Sequence, residues 1–361
     1  MIGEHRSSPG SGAMSVEQVE RELAKLRMDE DGTPGLRASV LNLVTVTDEE
    51  SAGEVTRIVS KLAGRFPCRA IVMISDTEEQ DANLDIRVSA FCDVQGGTGS
   101  QVCAEQVEIH AEGPPAHHLM SLAGPLLLPD LPVFLWYPGP FTPNLPEFSS
   151  MADLADRIVV NSAAASDSGV CLQELSELAQ DTSMPAVGDL QWVGLSPWRS
   201  LVTALFDPPD RREELEQIHR VEILHDSRGE SRALLLAGWL ASTLGWRPES
   251  ARDNDGAREF VFDGPSGEIT VALDPGSEDA SLRRVRLYGR ELSFQVSRHR
   301  ELTEAMSTVM RGEELLGERT VQLGFFDQDI ILGEELRFRG RDESYAAALR
   351  TVAEMLELCG Y

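Results

Sequence analysis

The sequence predicts a two-domain α/β protein of mixed α+β character. An N-terminal mixed sheet with a βαβ start and flanking helices precedes a largely antiparallel C-terminal sheet packed with helices. Residues 41–74 read strand, helix, strand, which is typical of two parallel strands joined by a crossover helix. A series of short strands separated by turn residues follows residue 258. The 361 residues, 42% of them hydrophobic, suffice for two domains with sizeable cores.

The first domain is predicted over residues 37–207, after a disordered leader and an amphipathic helix within residues 1–36. A capping box beginning at Thr47 opens the crossover helix, and Gly64 is placed to end it. Polar and apolar residues alternate on both sides of the glycine-rich residues 95–100, which predicts a hairpin. The remaining elements, assigned from apolar runs and flanking prolines, are a helix near 116–128, strands at 133–137 and 157–160, and helices near 169–180 and after Ser196.

The second domain is predicted over residues 208–361, because Pro208 and Pro209 end the preceding helix. The helix predicted at 231–244 is apolar nearly all round and should lie in the core. A final helix carries Tyr345 and Leu349 on one face. The strands of this domain, bounded by turn residues, are predicted at 221–224, 259–263, 268–273, 283–288, 291–297, 318–324 and 328–333.

The net charge excludes two kinds of partner. The chain has 32 basic and 60 acidic residues, so its formal net charge is −28. Nucleic acids and anionic membranes both attract clustered Lys and Arg, so neither is expected as a partner. An acidic chain is compatible with a basic partner surface, and equally with charge that only maintains solubility.

No segment predicts export or membrane insertion, and we expect a cytoplasmic protein. Residues 1–13 are polar and lack the apolar segment of a secretory signal, so they read as a disordered extension or as a misplaced start before Met14. Five Pro residues and one Asp interrupt the apolar residues 119–141, which favours a helix and a buried strand over a membrane span. Five cysteines are too few for a disulfide scaffold.

The motifs for common catalytic and cofactor sites are absent from the sequence. The glycine-rich residues 95–100 match neither GxxxxGK[ST] nor GxGxxG and precede a strand, so they favour a turn over a phosphate cradle. Neither GxSxG nor HExxH occurs. The missing motifs do not exclude an enzyme, but they remove the positive case for one, and we name no catalytic residue, no cofactor-binding residue and no metal ligand.

Cys92 and Cys103 flank the predicted hairpin loop, and His110, His117 and His118 follow within a short stretch. The two cysteines could be buried thiols, a disulfide or metal ligands. The spacing matches no common zinc motif, and an unpaired Cys behaves as a small hydrophobe, which favours buried thiols. A redox pair is the first alternative.

Aromatic residues cluster in two proline-containing loops. Trp136, Tyr137 and Phe141 lie beside Pro138 in one of them, and Trp192 and Trp198 lie in the other. Such rings are good interface anchors, although tryptophans also cap the edge of a core. We predict Trp136, Tyr137, Pro138 and Phe141 as partner-binding residues.

Five stretches resemble the OpcA family, the glucose-6-phosphate dehydrogenase assembly proteins of cyanobacteria and actinobacteria. The most specific are the PDLPVFLWYPG segment ending at Gly139 and the residues around Cys103-Ala104-Glu105. In chain order the stretches are LNLVTVT at 41–47, RFPCRAIVMI at 65–74, VCAEQVEI at 102–109, PLLLPDLPVFLWYPG at 125–139 and DRIVVNSA at 156–163.

The resemblance implies a non-enzymatic partner that binds glucose-6-phosphate dehydrogenase, promotes its active oligomer and needs no cofactor. It also implies thioredoxin-responsive cysteines near the C-terminus. Here only Cys359 lies there, so Cys92 and Cys103 are the local substitute that we predict for redox control.

An enzyme or a sugar-phosphate-binding protein of the same pathway is the alternative interpretation. In that case Arg65, Arg69, His117 and His118 would form an anion site together with the hairpin loop.

Overall fold

The structure divides into two units, and three segments of the chain contribute to each. The computed structural model describes residues 4–7, 12–28, 36–37, 39–63, 65–94, 101–141, 143, 146–226, 228–254, 257–276, 282–298, 304–323 and 327–360. Unit 1 comprises Met1–Asn161, Thr182–Gly188 and Asp327–Gly340, and unit 2 comprises Ser162–Asp181, Asp189–Phe326 and Arg341–Tyr361. The sequence places a single boundary after Asp207, whereas later segments of the chain return to unit 1.

The first half of the chain contains nine strands and six helices among its described residues. In order they are β1 (Glu4–Ser7), α1 (Val16–Leu26), β2 (Leu36–Arg37), β3 (Asn42–Thr47), α2 (Glu49–Ala63), β4 (Arg69–Asp76), β5 (Asn83–Val94), β6 (Gln101–Glu112), α3 (Leu119–Ala123), β7 (Val133–Trp136), α4 (Pro146–Ala152), β8 (Arg157–Val160), α5 (Ser168–Gln180), β9 (Ala186–Asp189) and α6 (Leu190–Gly194).

The described residues of the second half contain eight strands and five helices. They are α7 (Ser196–Leu205), α8 (Pro209–Leu215), β10 (Arg220–His225), α9 (Glu230–Leu244), β11 (Arg247–Asn254), β12 (Ala257–Gly264), β13 (Gly267–Pro275), β14 (Leu282–Tyr288), β15 (Ser293–Arg298), β16 (Glu304–Arg311), β17 (Glu314–Gln322), α10 (Gln328–Glu335) and α11 (Glu343–Glu357). No helix of the described chain is long and apolar enough to cross a membrane.

The first sheet is doubly wound. Its strand order is β1-β5-β6-β4-β3-β7-β8-β9, with β2 beside β6. The strands β6, β4, β3, β7 and β8 are parallel neighbours, so in chain order they stand third, second, first, fourth and fifth. This order places a topological switch point between β3 and β7. The predicted βαβ unit, β3-α2-β4, is confirmed.

The predicted hairpin is confirmed as β5 and β6, which pair antiparallel from Asn83 with Glu112 to Val94 with Gln101. Its loop, residues 95–100, lies outside the described residues. At the outer edge β1 pairs with β5, so the prediction of a disordered leader is wrong for Glu4–Ser7. The edge of β5 has unpaired backbone N–H and C=O groups, and β1 forms hydrogen bonds with them. The polar composition of residues 1–13 does not indicate that such an edge is available.

A buried ion cluster joins α1 to the first sheet. Arg69 is 1% exposed, and its Nε donates to Glu105 Oε2 at 2.8 Å. Its guanidinium also pairs with Glu20, and Arg27 pairs with the other oxygen of Glu105. Charges this deeply buried need such partners, so the cluster fixes where α1 lies.

The start of β7 is held by one buried amide. Asn42 Nδ2 donates to the carbonyl of Leu128 at 3.0 Å, and Asn42 Oδ1 accepts from the Leu128 amide at 2.8 Å. These bonds satisfy the turn before the Leu131-Pro132 step, where backbone groups would otherwise be buried without partners. The short strand β7 therefore enters the sheet beside β3 in a defined register.

The helix α10 corrects a sequence prediction. Residues 328–333 were expected to form a strand, but a short apolar run does not distinguish a buried strand from a buried helix. The run instead forms α10 in unit 1, where a Cβ added to Gly333 would lie 2.5 Å from the Phe66 ring. That close approach requires glycine and seats the helix against the segment after α2.

Unit 2 contains an eight-stranded sheet in the order β11-β12-β13-β10-β14-β15-β16-β17. Its neighbouring strands pair antiparallel except β10 with β13, so β10 separates two antiparallel meanders. Helices α9 and α11 pack closely, since a Cβ on Gly238 would lie 2.6 Å from the carbonyl oxygen of Ala348. The predicted fold class, two α/β domains with these two kinds of sheet, is confirmed.

Other elements also differ from prediction. The helix expected at 116–128 is divided into α3 and two flanking 3₁₀ turns, Pro114–His118 and Gly124–Leu126, because prolines interrupt it. The strands β11 and β16 were not predicted. The strand β11 is a polar edge strand with Pro248, so it lacks the apolar alternation of a strand inside a sheet.

Candidate partner-binding surface

A cleft lies at the switch point of the first sheet, beside the carboxyl ends of β3 and β7. We call it the switch-point cleft, and its cavity volume is about 240 Å³. Open α/β sheets bind their ligands at this place, because the chain leaves neighbouring strands in opposite directions there. Its lining residues come from α2, from the segments after β7 and β8, and from α10: Ser51, Glu54, Val55, Ile58, Pro138, Gly139, Asn161 and Gln328.

The helix after β3 begins with carboxylates. Asp48 Oδ1 accepts a hydrogen bond from the Ser51 amide at 2.7 Å, and Glu49 and Glu50 occupy the first turn. The chain itself therefore supplies the negative charge that a helix N-terminus favours. A dinucleotide-binding sheet has glycines here so that its backbone can approach a pyrophosphate. The carboxylates would repel that group, so this cleft is poorly suited to a dinucleotide.

More exposed carboxylates follow the neighbouring strand β4. We call the whole set the acidic edge, and its members lie at or just after the carboxyl ends of β3 and β4 or in the first two turns of α2: Asp48, Glu49, Glu50, Glu54, Asp76, Glu78, Glu79 and Asp81. Glu49 is also 3.6 Å from His110 Nδ1. Clustered negative charge attracts positively charged molecules and speeds their association. The acidic edge therefore suits a protein partner with a basic surface.

The four predicted anchor residues divide into core and surface. Trp136 is 0% exposed in β7, and Phe141 is 3% exposed. Tyr137 and Pro138 are half-buried, and Pro138 lines the switch-point cleft. Burial therefore removes both residues from the surface: Trp136 lies in a central strand that faces elements on both sides, and the Phe141 ring packs against Tyr137 and Phe148. Tyr137 and Pro138 stay predicted contact residues.

The Tyr137 ring belongs to a cluster of three aromatic rings. The Tyr137 ring lies 5.6 Å from the Phe141 ring and 6.0 Å from the Phe148 ring, and the last two rings are 5.5 Å apart. These distances are typical of favourable aromatic pairs. The cluster holds the Tyr137 ring in one position, which is what a preorganised contact requires.

The tryptophans of the second loop belong to unit 2 and are buried. Trp192 is 3% and Trp198 is 4% exposed, and Trp192 Nε1 donates to Asp342 Oδ2 at 2.8 Å. The interpretation that tryptophans cap the edge of a core holds for these two.

Cys92 and Cys103 form a disulfide across the β5–β6 pair, with their Cα atoms 4.1 Å apart. The favoured interpretation, two buried thiols, is wrong. The hairpin register makes the two residues direct cross-strand neighbours. The sequence predicts the hairpin but does not determine which residues of its two strands stand opposite each other. Leu26, the last residue of α1, packs against the buried cluster that this disulfide forms with Ala90. A redox role for the pair stays a prediction.

The alternative anion site lacks one of its predicted residues, and its hairpin loop, residues 95–100, lies outside the described residues. Arg69 is committed to Glu105 and Glu20 in the core, so its charge is already compensated. His117 and His118 are exposed at a small hollow of about 100 Å³ with Met120 and Ser121. Among the described residues, no three His, Cys, Asp or Glu side chains are grouped as metal ligands.

Two family models match the chain. The first, for the N-terminal domain of the glucose-6-phosphate dehydrogenase subunit family OpcA, matches residues 59–177. The second, for the C-terminal domain in the same family, matches residues 185–349. Together they span both units of the fold.

Curated relatives are similar over part of their length. The OxPP cycle protein OpcA of Synechocystis is 30% identical over 209 residues, which are 57% of this chain and 43% of the relative. The protein of the same name from Nostoc punctiforme is 32% identical over 201 residues, 55% of this chain and 43% of the relative. The matched region thus spans less than half of these relatives.

Two solved structures share the fold at low sequence identity. A 3-ketoreductase from Actinomadura kijaniata, solved with NADP, has a TM-score of 0.52 at 12% identity and covers 89% of this chain and 97% of its own. Gal80p from Saccharomyces cerevisiae has a TM-score of 0.52 at 8% identity and covers 89% of this chain and 95% of its own. The architecture is therefore one that this NADP-bound 3-ketoreductase and Gal80p also adopt.

Proposed function

We propose, from the premise that this chain belongs to the OpcA family, that it is a non-enzymatic assembly factor and allosteric activator of glucose-6-phosphate dehydrogenase in the oxidative pentose phosphate pathway. The observation that carries the proposal is the match of both domain models of that family, over residues 59–177 and 185–349. The names of the curated relatives support the same pathway.

The activator works by population shift. It binds the active form of the dehydrogenase better than the inactive form, and the difference in binding free energy moves the equilibrium. A coupling free energy of about 1–3 kcal/mol would change apparent affinity roughly 5- to 150-fold. A preformed surface that makes differential contacts suffices, and no reacting group is needed.

The switch-point cleft supports a binding role over a catalytic one. The fold is shared with a 3-ketoreductase solved with NADP, yet the helix after β3 carries Asp48, Glu49 and Glu50 at the position that receives pyrophosphate in dinucleotide-binding sheets. The acidic edge and the adjoining Tyr137 and Pro138 offer the dehydrogenase a charged rim beside an aromatic contact.

The test is kinetic and hydrodynamic. The dehydrogenase of the same organism is assayed across glucose 6-phosphate concentrations with and without this protein, and the mixture is sized by light scattering. We expect a stable complex and a lowered apparent KM. Two folded proteins that form no complex and show unchanged kinetics would refute the proposal.

A thermal-shift measurement separates the activator from the alternative. The chain alone is heated with NADP⁺, glucose 6-phosphate or 6-phosphogluconate at millimolar concentration. A ligand that binds only the folded state raises Tm by mass action. We expect no shift beyond that of matched ionic strength, and a shift of several degrees would favour an enzyme or a sugar-phosphate-binding protein.

A further inference from the structure

The sheet of unit 2 has one buried face and one open face. Residues on the buried face, such as Val285, Leu287 and Phe294, are 0% exposed. Their neighbours in β14 and β15 point the other way and stay half-buried. The open face is defined at its centre by alternate residues of β10 and β14: Arg220, Glu222, Leu224, Arg284, Arg286 and Tyr288.

The centre of the open face is an organised charged network. Tyr288 Oη donates to Glu222 Oε2 at 2.8 Å, and Arg220 Nε donates to Glu222 Oε1 at 3.0 Å. The Arg286 guanidinium carbon lies 4.8 Å from the Tyr288 ring centroid. Arg284 Nε is shielded from water and meets no acceptor within the described chain. The side chains of Arg220, Glu222 and Tyr288 are therefore held in place by one another.

The strand order makes this face self-complementary. Four strands lie on each side of the β10–β14 junction, and Arg220, Glu222 and Leu224 stand directly opposite Tyr288, Arg286 and Arg284. A twofold axis parallel to the strands, between two stacked sheets, places β10 of one copy over β14 of the other. Each cross-strand pair then becomes an intermolecular pair. Glu222 meets Arg286 of the second copy, and Arg220 meets the Tyr288 ring of the second copy.

The same twofold axis also brings apolar residues together in the outer strands of the sheet. It places β12 over β16, so that Val261 faces Met310 of the second copy, because both lie in the register row of Arg220 and Tyr288. An axis perpendicular to the strands would instead place Glu222 on Glu222 and Arg286 on Arg286. Like charges in direct contact repel strongly, so the charges select the parallel axis.

The area is sufficient for a stable pair. Eight strands spaced about 4.8 Å apart span roughly 34 Å, and about six residues a strand span roughly 20 Å. Each copy would bury about 700 Å², close to the roughly 800 Å² per partner of a standard interface. Stacked sheets keep their strand directions within about 30°, so the central contacts persist despite the sheet twist.

We propose that the open face of the unit 2 sheet is the docking surface for a second copy of this chain, forming a twofold dimer in which Glu222 and Arg286 pair reciprocally. The proposal stands independently of the proposed function, because it uses only the register and the charges of this sheet.

The experiment uses charge reversal with two complementary variants. Full-length Glu222→Arg and Arg286→Glu are sized by analytical ultracentrifugation beside the unaltered chain, with circular dichroism as the check on folding. We expect the unaltered chain to be a dimer, and each variant to dimerise at least a hundredfold more weakly. Positions 222 and 286 of the two copies meet twice in the dimer. At both contacts the first variant brings two arginines together, and the second variant brings two glutamates together.

Mixing the variants gives the decisive result. An equimolar mixture should form a heterodimer, because the two arginines that the first variant carries at these positions then face the two glutamates of the second variant. Glu213→Arg on the exposed helix α8 serves as a matched control and should leave the dimer unchanged. A monomeric unaltered chain, variants that stay dimeric, or a mixture that stays monomeric would each overturn the proposal. Variants that stay dimeric and lose affinity for the dehydrogenase would assign the face to that partner instead.

Discussion

Arg157 and Glu335 are joined by a buried ion pair, although 178 positions separate them in the sequence. Arg157 Nε donates to Glu335 Oε1 at 2.6 Å, and the two side chains are 2% and 1% exposed. The pair ties β8 to α10. Gly188 in β9 makes room for it, since a Cβ there would lie 1.7 Å from Glu335 Oε1.

Glu335→Gln should destabilise unit 1 strongly. The amide keeps the shape of the side chain but leaves the Arg157 charge buried without a counter-charge, which typically costs about 3–5 kcal/mol. Urea unfolding measures the change. Lys25→Gln is the matched control, because Lys25 is 59% exposed beside Glu22 and such a surface pair contributes about 0–1 kcal/mol. A loss below about 1 kcal/mol for Glu335→Gln would contradict the assignment.

Reduction of the Cys92–Cys103 disulfide should loosen α1. The bond closes a short loop, since its cysteines are 11 residues apart, and cross-linking a loop of that order stabilises by about 3 kcal/mol. We expect a lower urea midpoint under reductant, and faster amide exchange in α1 because Leu26 packs on the cluster that contains the disulfide. The double variant Cys92→Ala/Cys103→Ala should not respond to reductant. Equal midpoints for the unaltered chain in both redox states would argue against this role.

Two buried thiols should resist alkylation in the folded protein. Burial raises the pKa of the Cys68 thiol to about 12, and burial with nearby carboxylates, Asp189 first, raises that of Cys171 to about 12. Because the pKa lies far above pH 8, only about one thiol in ten thousand is the reactive thiolate. Mass spectrometry after iodoacetamide at pH 8 should find the partly exposed Cys359 modified first. Rapid native modification of Cys68 would show that the site opens.

Charge reversal on the acidic edge should slow association with the dehydrogenase. Glu49→Lys/Glu50→Lys removes negative charge beside the switch-point cleft, and rim charges act mainly on the association rate. We expect a roughly five- to tenfold slower rate at low salt and a smaller difference at high salt, by stopped-flow or surface binding. Glu213→Lys/Glu216→Lys on and just after α8 makes the same charge change elsewhere. Equal slowing by both double variants would mean that only net charge matters.

Tyr137→Ala should weaken the complex at equilibrium. Truncation of an aromatic contact at an interface centre costs about 2 kcal/mol, or roughly thirtyfold in Kd. Tyr137→Phe keeps the ring and should stay within a few fold of the unaltered chain. Trp136→Ala should instead lower the free energy of unfolding by about 3–5 kcal/mol, because that ring is fully buried. Unchanged affinity of a folded Tyr137→Ala variant would remove this loop from the interface.

Local pattern predicted the elements whose neighbours are close in the chain. The βαβ unit, the hairpin around residues 95–100 and the helix later found as α9 each carry their own periodicity. The helix α10 was predicted as a strand, since its helical state depends on packing beside Phe66 far earlier in the chain. Edge strands such as β11 are hard to predict because they bury little apolar surface and so lack the alternating apolar pattern of a strand.

The candidate site was predictable only in part. Tyr137 and Pro138 stood out as ring and proline in one loop, and they do lie beside the switch-point cleft. The burial of Trp136 and the meeting of α2 with Gln328 of α10 depend on topology. No spacing rule in the sequence encodes those two facts.

The last segment of unit 1, Asp327–Gly340, comes late in the chain, so unit 1 cannot be completed early in synthesis. A ribosome releases the strands of the first sheet early, but Asp327–Gly340 emerges only after both meanders of unit 2. Until then nascent unit 1 holds Arg157 without its carboxylate, so its native core closes near the end of translation rather than domain by domain. A message truncated before codon 327 would therefore disable the first unit along with the second.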